Sequence, residues 1–207
     1  MEYLFPLATL AVVHLMAVVS PGQSFLFITR TAMTSGRMPA LTATAGMAAG
    51  ACFWAIAAML GMAVILQQAA WAYTLLRIAG GLYLVYLAIM IWRHAPAAID
   101  IGSHKKQDAS HFAGLRNGFL IQIANPKVVV FFGSIFFALL PPHAPLWVSC
   151  AAVLIVFINE AAWYALVSLL FSSPGPRGAY MRMKPSFDRV MAGVLGMIGM
   201  KLIADTR

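Results

Sequence analysis

Two charged side chains stand where charge is costly: Lys127 lies within the apolar run Leu115 to Leu140, and Glu160 within the run Leu146 to Phe171. In an apolar medium each costs at least about 2.5–3.5 kcal/mol, so each should face a partner or a cavity. Two prolines interrupt apolar runs in a similar way. Ser20-Pro21-Gly22-Gln23 breaks the run Leu4 to Ile28, and Ala124-Asn125-Pro126-Lys127 breaks the run that holds Lys127. Proline removes a helix hydrogen bond and clashes with the preceding turn, at roughly 3 kcal/mol. Ser and Asn are favoured N-caps, and proline fits the first position of a helix. Both breaks therefore predict a helix that stops, is capped by Ser20 or Asn125, and restarts at Pro21 or Pro126. A restarted helix aims free N–H groups and partial positive charge into the break. The chemistry that fits is the holding of a small zwitterion, with its carboxylate on the two helix N-termini and Lys127, and its ammonium, or a proton, on Glu160. A plainer arrangement uses the same residues: the prolines kink packed helices, and Lys127 with Glu160 forms a structural ion pair. The matching position of the two capped breaks favours the first reading of the breaks, while both roles of the charged pair stand.

Other polar residues in apolar runs extend this set. Asn159, Gln122 and Gln23 either line the same cavity or tie helices together. His14 reads as a packed donor before a proton relay, and Tyr83 and Tyr86 either touch a bound molecule or pack. Gly46-x3-Gly50, Gly80-Gly81, Gly193, Gly196 and Gly199 let helices approach closely, within one chain or across a homodimer face. The thirteen methionines scatter without ligand spacing and read as apolar filling. Cys52 and Cys150 both lie in apolar runs, which argues against a disulfide framework or a thiolate metal cluster. No Ser-His-Asp order, metal-ligand helix motif or phosphate-binding glycine loop is present. The expectation is no catalytic residue, no metal site and no cofactor.

The elements that must position these residues follow from composition. The chain has 207 residues, 62% hydrophobic and 10% charged, with a mean hydropathy of +0.85. Soluble domains run at about 45–50% apolar and 25% charged residues, so this is an integral membrane protein. A spanning helix needs about 20 apolar residues. Runs near Leu4 to Ile28, Ala40 to Leu66, Ala69 to Trp92, Leu115 to Leu140, Leu146 to Phe171 and Val190 to Ala204 predict six of them. The first run starts Met1-Glu2-Tyr3, with no basic region before it and no small-x-small cleavage site after Ser20, and is expected to be retained.

The net charge of +8 is read through its distribution. Arg30, Arg37, Arg93, Lys105, Lys106, Arg116, Arg177, Arg182, Lys184 and Arg189, ten of the fourteen basic residues, fall at the first, third and fifth connections or the helix ends beside them. Arg207 alone falls on the terminal side, and Arg77, Lys127 and Lys201 sit within runs. The positive-inside rule then places both termini outside. The basic excess is a topology signal first and an attraction to anionic lipid second, and nucleic acid is not an expected partner.

Order and spacing also repeat weakly. Each half starts with a proline break and ends with an arginine four residues before a glycine, Arg77-Gly81 and Arg189-Gly193. The expected organisation is one transmembrane domain: residues 1–93 as a first three-helix repeat, 94–113 as a cytoplasmic linker, and 114–207 as a second repeat. An odd number of spans per repeat inserts the second copy upside down, so the fold class expected is all-α, six transmembrane helices as two inverted three-helix repeats with broken first helices.

At these residues the chain resembles the lysine exporter/homoserine-threonine resistance (LysE/RhtB) family of bacterial amino-acid exporters. The resemblance covers nearly the whole chain. It is carried by Pro21-Gly22, Arg30, Gly36-Arg37, Ala45-Gly46, Gly50, Gly61 and Gly80-Gly81-Leu82-Tyr83-Leu84, then Asn117-Gly118-Phe119, Asn125-Pro126-Lys127 and a glycine-rich last helix. At the first break the family pattern is Pro-Gly-Pro, often followed by Asp, where this chain has Gln23-Ser24. The resemblance implies export of a small amino acid or relative across the bacterial cytoplasmic membrane, driven by the proton gradient. Ser20, Pro21, Gly22, Gln23, Asn125, Pro126, Lys127, Asn159, Glu160 and Tyr83 are the expected contacts of that molecule, with Glu160 and Lys127 coupling its movement to the driving ion. Two other classes compete: a membrane thiol-disulfide electron carrier, which needs two cysteines with Cα atoms less than about 7 Å apart, and a channel or scaffold.

Overall fold

Prolines and glycines divide the apolar sequence into helices at the places where the backbone cannot continue one. The computed structural model describes residues 3–68, 70–95, 111–140 and 144–204. These form eight helices: α1 (Leu4–Val19), α2 (Gln23–Ser35), α3 (Arg37–Gln68), α4 (Ala70–His94), α5 (His111–Ile123), α6 (Pro126–Leu139), α7 (Leu146–Phe171) and α8 (Pro174–Ala204). No strand occurs among the described residues. Gly36 ends α2 with φ +92°, a left-handed conformation that glycine adopts without penalty, and α3 starts at the next residue.

Two helical stretches are long and apolar enough to cross a membrane, Arg37–Gly61 and Leu146–Phe171. Two bent pairs qualify when each is taken as one broken span: α1 with α2, bent by 57°, and α5 with α6, bent by 59°. The chain is an all-α membrane protein with two to four such spans among the described residues. The apolar runs beginning at Leu4 and Leu115 are thus each a pair of helices joined at the expected proline. The last helix differs from its expected extent, because α8 starts at Pro174, well before Val190, and carries Pro185 inside it. Within it Lys184 and Asp188, one turn apart, pair at 2.8 Å in a buried position. Of the expected linker 94–113, residues 96–110, with Lys105 and Lys106, lie outside the described residues.

Between helices in lipid there is little hydrophobic driving force, so association rests on close packing. α3 supplies the surface for it. Ala40, Ala43, Met47, Ala51, Ala55 and Ala58, at helical spacing, are all buried. On the α5 side, a Cβ at Gly118 would overlap the Ala43 carbonyl, and one at Gly46 would overlap the Leu115 carbonyl. The two backbones meet there because neither helix has a side chain in the way. Larger residues fill two cores. Leu10, Val13, Leu84, Phe132, Ile135, Phe136, Val156 and Leu195 join α1, α4, α6, α7 and α8; Phe25, Ile28, Met47, Tyr164, Val167 and Phe171 join α2, α3 and α7. Many large apolar side chains, among them Leu60, Leu82, Leu146, Leu154 and Met197, face outward, as suits a surface solvated by hydrocarbon. The two cores leave a polar seam between them, at the level of both helix breaks.

Candidate functional site between the broken helices

The second break forms as its residues require. Asn125 Oδ1 accepts from the Lys127 backbone N–H at 3.0 Å, and Pro126 opens α6. At the first break the expected cap does not form. Ser20 closes α1 instead, its N–H donating to the Met16 carbonyl at 3.2 Å, and the N-cap of α2 is Gly22, with no side-chain cap. Pro21 ends α1 and Gly22 is extended, so α2 starts at Gln23 and the Ser20 hydroxyl lies two residues too early to cap it. The α2 N-terminus therefore keeps its free N–H groups.

Lys127 repairs this break from the other one. In an uninterrupted helix the Ala17 carbonyl would accept from the N–H of residue 21, but Pro21 has none. Lys127 Nζ takes that place, donating to Ala17 O at 2.7 Å and to Ser20 O at 3.1 Å. A lysine ammonium has three donors, so one remains for another acceptor. From α4, the Tyr83 hydroxyl donates to the Lys127 carbonyl at 3.2 Å.

A chain of buried hydrogen bonds leads away from Asn125. Asn125 Nδ2 donates to Ser24 Oγ (2.9 Å), Ser24 Oγ to Gln122 Oε1 (2.8 Å), and Gln122 Nε2 to Glu160 Oε1 (2.8 Å). It links α6, α2, α5 and α7, and so holds both breaks against Glu160. His14 Nε2 lies 3.8 Å from the same Glu160 oxygen. The histidine tautomer follows from its other side. Asn159 Nδ2 donates to the Ala11 carbonyl at 2.9 Å, which fixes the amide orientation, and its second hydrogen faces His14 Nδ1 at 3.4 Å. Nδ1 is then an acceptor, and the neutral ring carries its proton on Nε2, toward Glu160. Gln122 donates to Oε1 and His14 Nε2 faces the same oxygen from beyond hydrogen-bond distance, whereas Oε2 is buried and has no hydrogen-bond partner among the described residues.

The ion pair considered between Lys127 and Glu160 does not form. Lys127 is held by the carbonyls of Ala17 and Ser20, and the ion pair between a lysine and a carboxylate among the described residues is Lys184 with Asp188. One cavity of about 30 Å³ lies between the two charges, room for ordered water and well below the size of an amino acid. Its polar lining is His14, Ser20, Gly22, Ser24, Gln122, Asn125, Lys127, Glu160 and Tyr164, and Val128, Phe131 and Phe132 close its apolar side. Anything with several heavy atoms enters only when the lining helices move apart.

Of the residues singled out from sequence, His14, Ser20, Gly22, Gln122, Asn125, Lys127 and Glu160 line this cavity. Pro126 shapes it as the first residue of α6. Asn159 and Tyr83 stand behind it, holding His14 and Lys127. Pro21 is outside the lining, and Gln23 is exposed at the start of α2. Gln23 points away because the cavity lies on the side of Ser24, the next residue round the turn. Ser24 and Tyr164 were not anticipated. Tyr164 lies four residues after Glu160 on the same face of α7, a spacing legible in the sequence, whereas Ser20 and Ser24 are on opposite sides of the break and no sequence spacing links them. Cys52 and Cys150 sit elsewhere, in one apolar groove between α3 and α7, and both are free thiols.

The profile of the LysE type translocators matches residues 15–206 of the chain. The threonine efflux protein of Escherichia coli K12 is 29% identical over 197 residues, covering 94% of this chain and 96% of that protein. An uncharacterised membrane protein of the same strain, YahN, is 28% identical over 186 residues, 90% of this chain and 83% of its own. The homoserine/homoserine lactone efflux protein of Salmonella typhimurium is 27% identical over 127 residues, 61% of each. No solved structure matches the chain.

Proposed function

The chain belongs to the LysE type translocator family, and we propose that it is a secondary transporter exporting a small amino acid or a close relative from the cytoplasm across the bacterial inner membrane. One observation carries this reading. A buried cavity at the meeting of two helix breaks presents a lysine ammonium with a donor to spare and, opposite, a glutamate oxygen with no partner. Those are the two ends that an α-amino acid needs. Its carboxylate meets Lys127 and the uncapped N-terminus of α2; its ammonium meets Glu160 Oε2. Val128, Phe131 and Phe132 give the cavity an apolar side, against which a short side chain would pack once the lining helices have moved apart. Threonine and homoserine, named for the related efflux proteins, are the first molecules to try.

Glu160 also couples export to protons in this reading. A single carboxylate oxygen holds either a substrate ammonium or a proton. If the site returns inward only when Glu160 is neutralised, an incoming proton exchanges for each outgoing amino acid. Lys127 serves the exchange by keeping both breaks joined while the site is empty.

Part of the helix packing fits two inverted three-helix repeats, although the packing of α4 on α6 and of α2 on α3 has no comparable equivalent in the other half among the described residues. Exchanging α1–α4 for α5–α8 maps the packing of α1 on α7 onto that of α5 on α3, and α2 on α7 onto α6 on α3. The pairs α3 with α7 and α4 with α8 map onto themselves. Similar bends, 57° and 59°, fall at corresponding places. Six spans with both termini outside are part of this reading, which rests on the repeat and on the basic side chains of the odd connections.

The test is to delete the protein in its native host and measure which amino acid accumulates inside. Accumulation of one small amino acid, reversed by reintroducing the chain, supports export; unchanged pools, with the same chain inactive in vesicles, refute it.

A further inference from the structure

Helices α4 and α8 pack antiparallel, in a register fixed at three heights. Gly81 lies against Gly199, Ala88 against Gly196, and the Ala95 carbonyl accepts from Lys184 Nζ at 3.3 Å. Arg93 and Arg189 therefore stand at the same height on neighbouring helices. Both are exposed, and neither has a carboxylate partner among the described residues, because Asp188 is buried against Lys184. Below them an apolar groove of about 290 Å³ runs between the helices, lined by Ala88, Ile89, Trp92, Gly193, Gly196 and Met197, with Arg93 at its mouth. Arg189, four residues before Gly193, shares its face of α8. Trp92 has the amphipathic ring that settles at the headgroup level.

We propose that this groove binds one anionic phospholipid of the leaflet on the basic side, with its phosphate between Arg93 and Arg189 and an acyl chain along Gly193 and Gly196. Charge selects this occupant. Two guanidinium groups at one height, above an apolar slot, match a headgroup phosphate joined to hydrocarbon. A second copy of the chain docked about a two-fold axis along the membrane normal would bring four arginines to the same height. The site lies apart from the cavity at the breaks and does not depend on what that cavity binds.

The test uses the full-length protein in neutral detergent, titrated with phosphatidylglycerol or phosphatidylcholine of identical acyl chains and followed by native mass spectrometry. Phosphatidylglycerol should bind selectively. Arg93→Gln and Arg189→Gln, both at exposed positions, should each weaken it roughly fivefold, since a cation near a membrane surface contributes about 1 kcal/mol. Gly193→Leu should fill the groove and remove binding with both arginines intact, since a Cβ there meets nothing within 4 Å. Equal binding of the two lipids, or unchanged phosphatidylglycerol affinity in the double arginine variant, would overturn the proposal. So would a dimer that Gly193→Leu dissociates without any lipid preference.

Discussion

Lys127 Nζ donates to the Ala17 carbonyl at 2.7 Å, filling the place of the N–H that Pro21 lacks. A side chain from the second helix break thus completes the first. The fold and the proposed function depend on this relationship in different ways, and substitutions separate them.

Pro21→Ala restores an N–H at residue 21. The Ala17 carbonyl can then accept within its own helix, and α1 can run straight through the break. The bend of 57° between α1 and α2 should decrease, and Lys127 should lose an acceptor. Spin-label distances across the break should report the straightening, and export should fall with protein abundance unchanged. An unaltered bend would mean that packing around α2, not Pro21, sets it.

His14 should act as a neutral donor. Asn159 already points an N–H at His14 Nδ1, so a proton there would set two donors face to face. His14→Gln, whose amide nitrogen can reach toward Glu160, should retain export within a few-fold and keep its pH profile. His14→Leu should lower export, because it removes the N–H that faces Glu160 at 3.8 Å and leaves the carboxylate beside an apolar group. Loss of proton coupling in His14→Gln, with amino-acid exchange preserved, would make His14 a proton carrier instead.

Much of this was legible in the sequence, for identifiable reasons. Proline and its cap act locally, so Asn125-Pro126-Lys127 could be read as stop, cap and restart without tertiary information. Pro21 also marked its break correctly. The cap there was misassigned because one extended residue, Gly22, shifts the start of α2, and sequence gives no count of extended residues. Charge burial flagged Lys127 and Glu160, since cost follows from composition alone. Their separate partners were not legible: whether a lysine reaches a carboxylate or a broken helix end is decided by three-dimensional register. Gln23 and Ser24 differ only in which way one turn of helix faces, and the choice between them needed the packing of α2 on α5.

Topology and the cysteines can be tested together. Cys52 and Cys150 line an apolar groove away from the cavity, so replacing both with serine should leave export intact; an electron carrier would lose its activity. In that background, single cysteines near Lys105 should resist an impermeant thiol reagent in intact cells, and cysteines near either terminus should react. Labelling near Lys105 from outside would reverse the orientation.

The most direct measurement is exchange of labelled for unlabelled amino acid in proteoliposomes holding wild-type protein, Lys127→Met, Glu160→Gln or the double variant. Lys127→Met strands two carbonyls, at about 1–3 kcal/mol each, within a typical stability of about 5–15 kcal/mol, and Glu160→Gln keeps an acceptor for Gln122. All three variants should therefore insert and fold. If the two charges hold opposite ends of the amino acid, each single change should slow exchange by at least about tenfold, and the double variant should be no faster than either. Recovery of exchange in the double variant would contradict this, and would leave the two charges with no role beyond balancing each other.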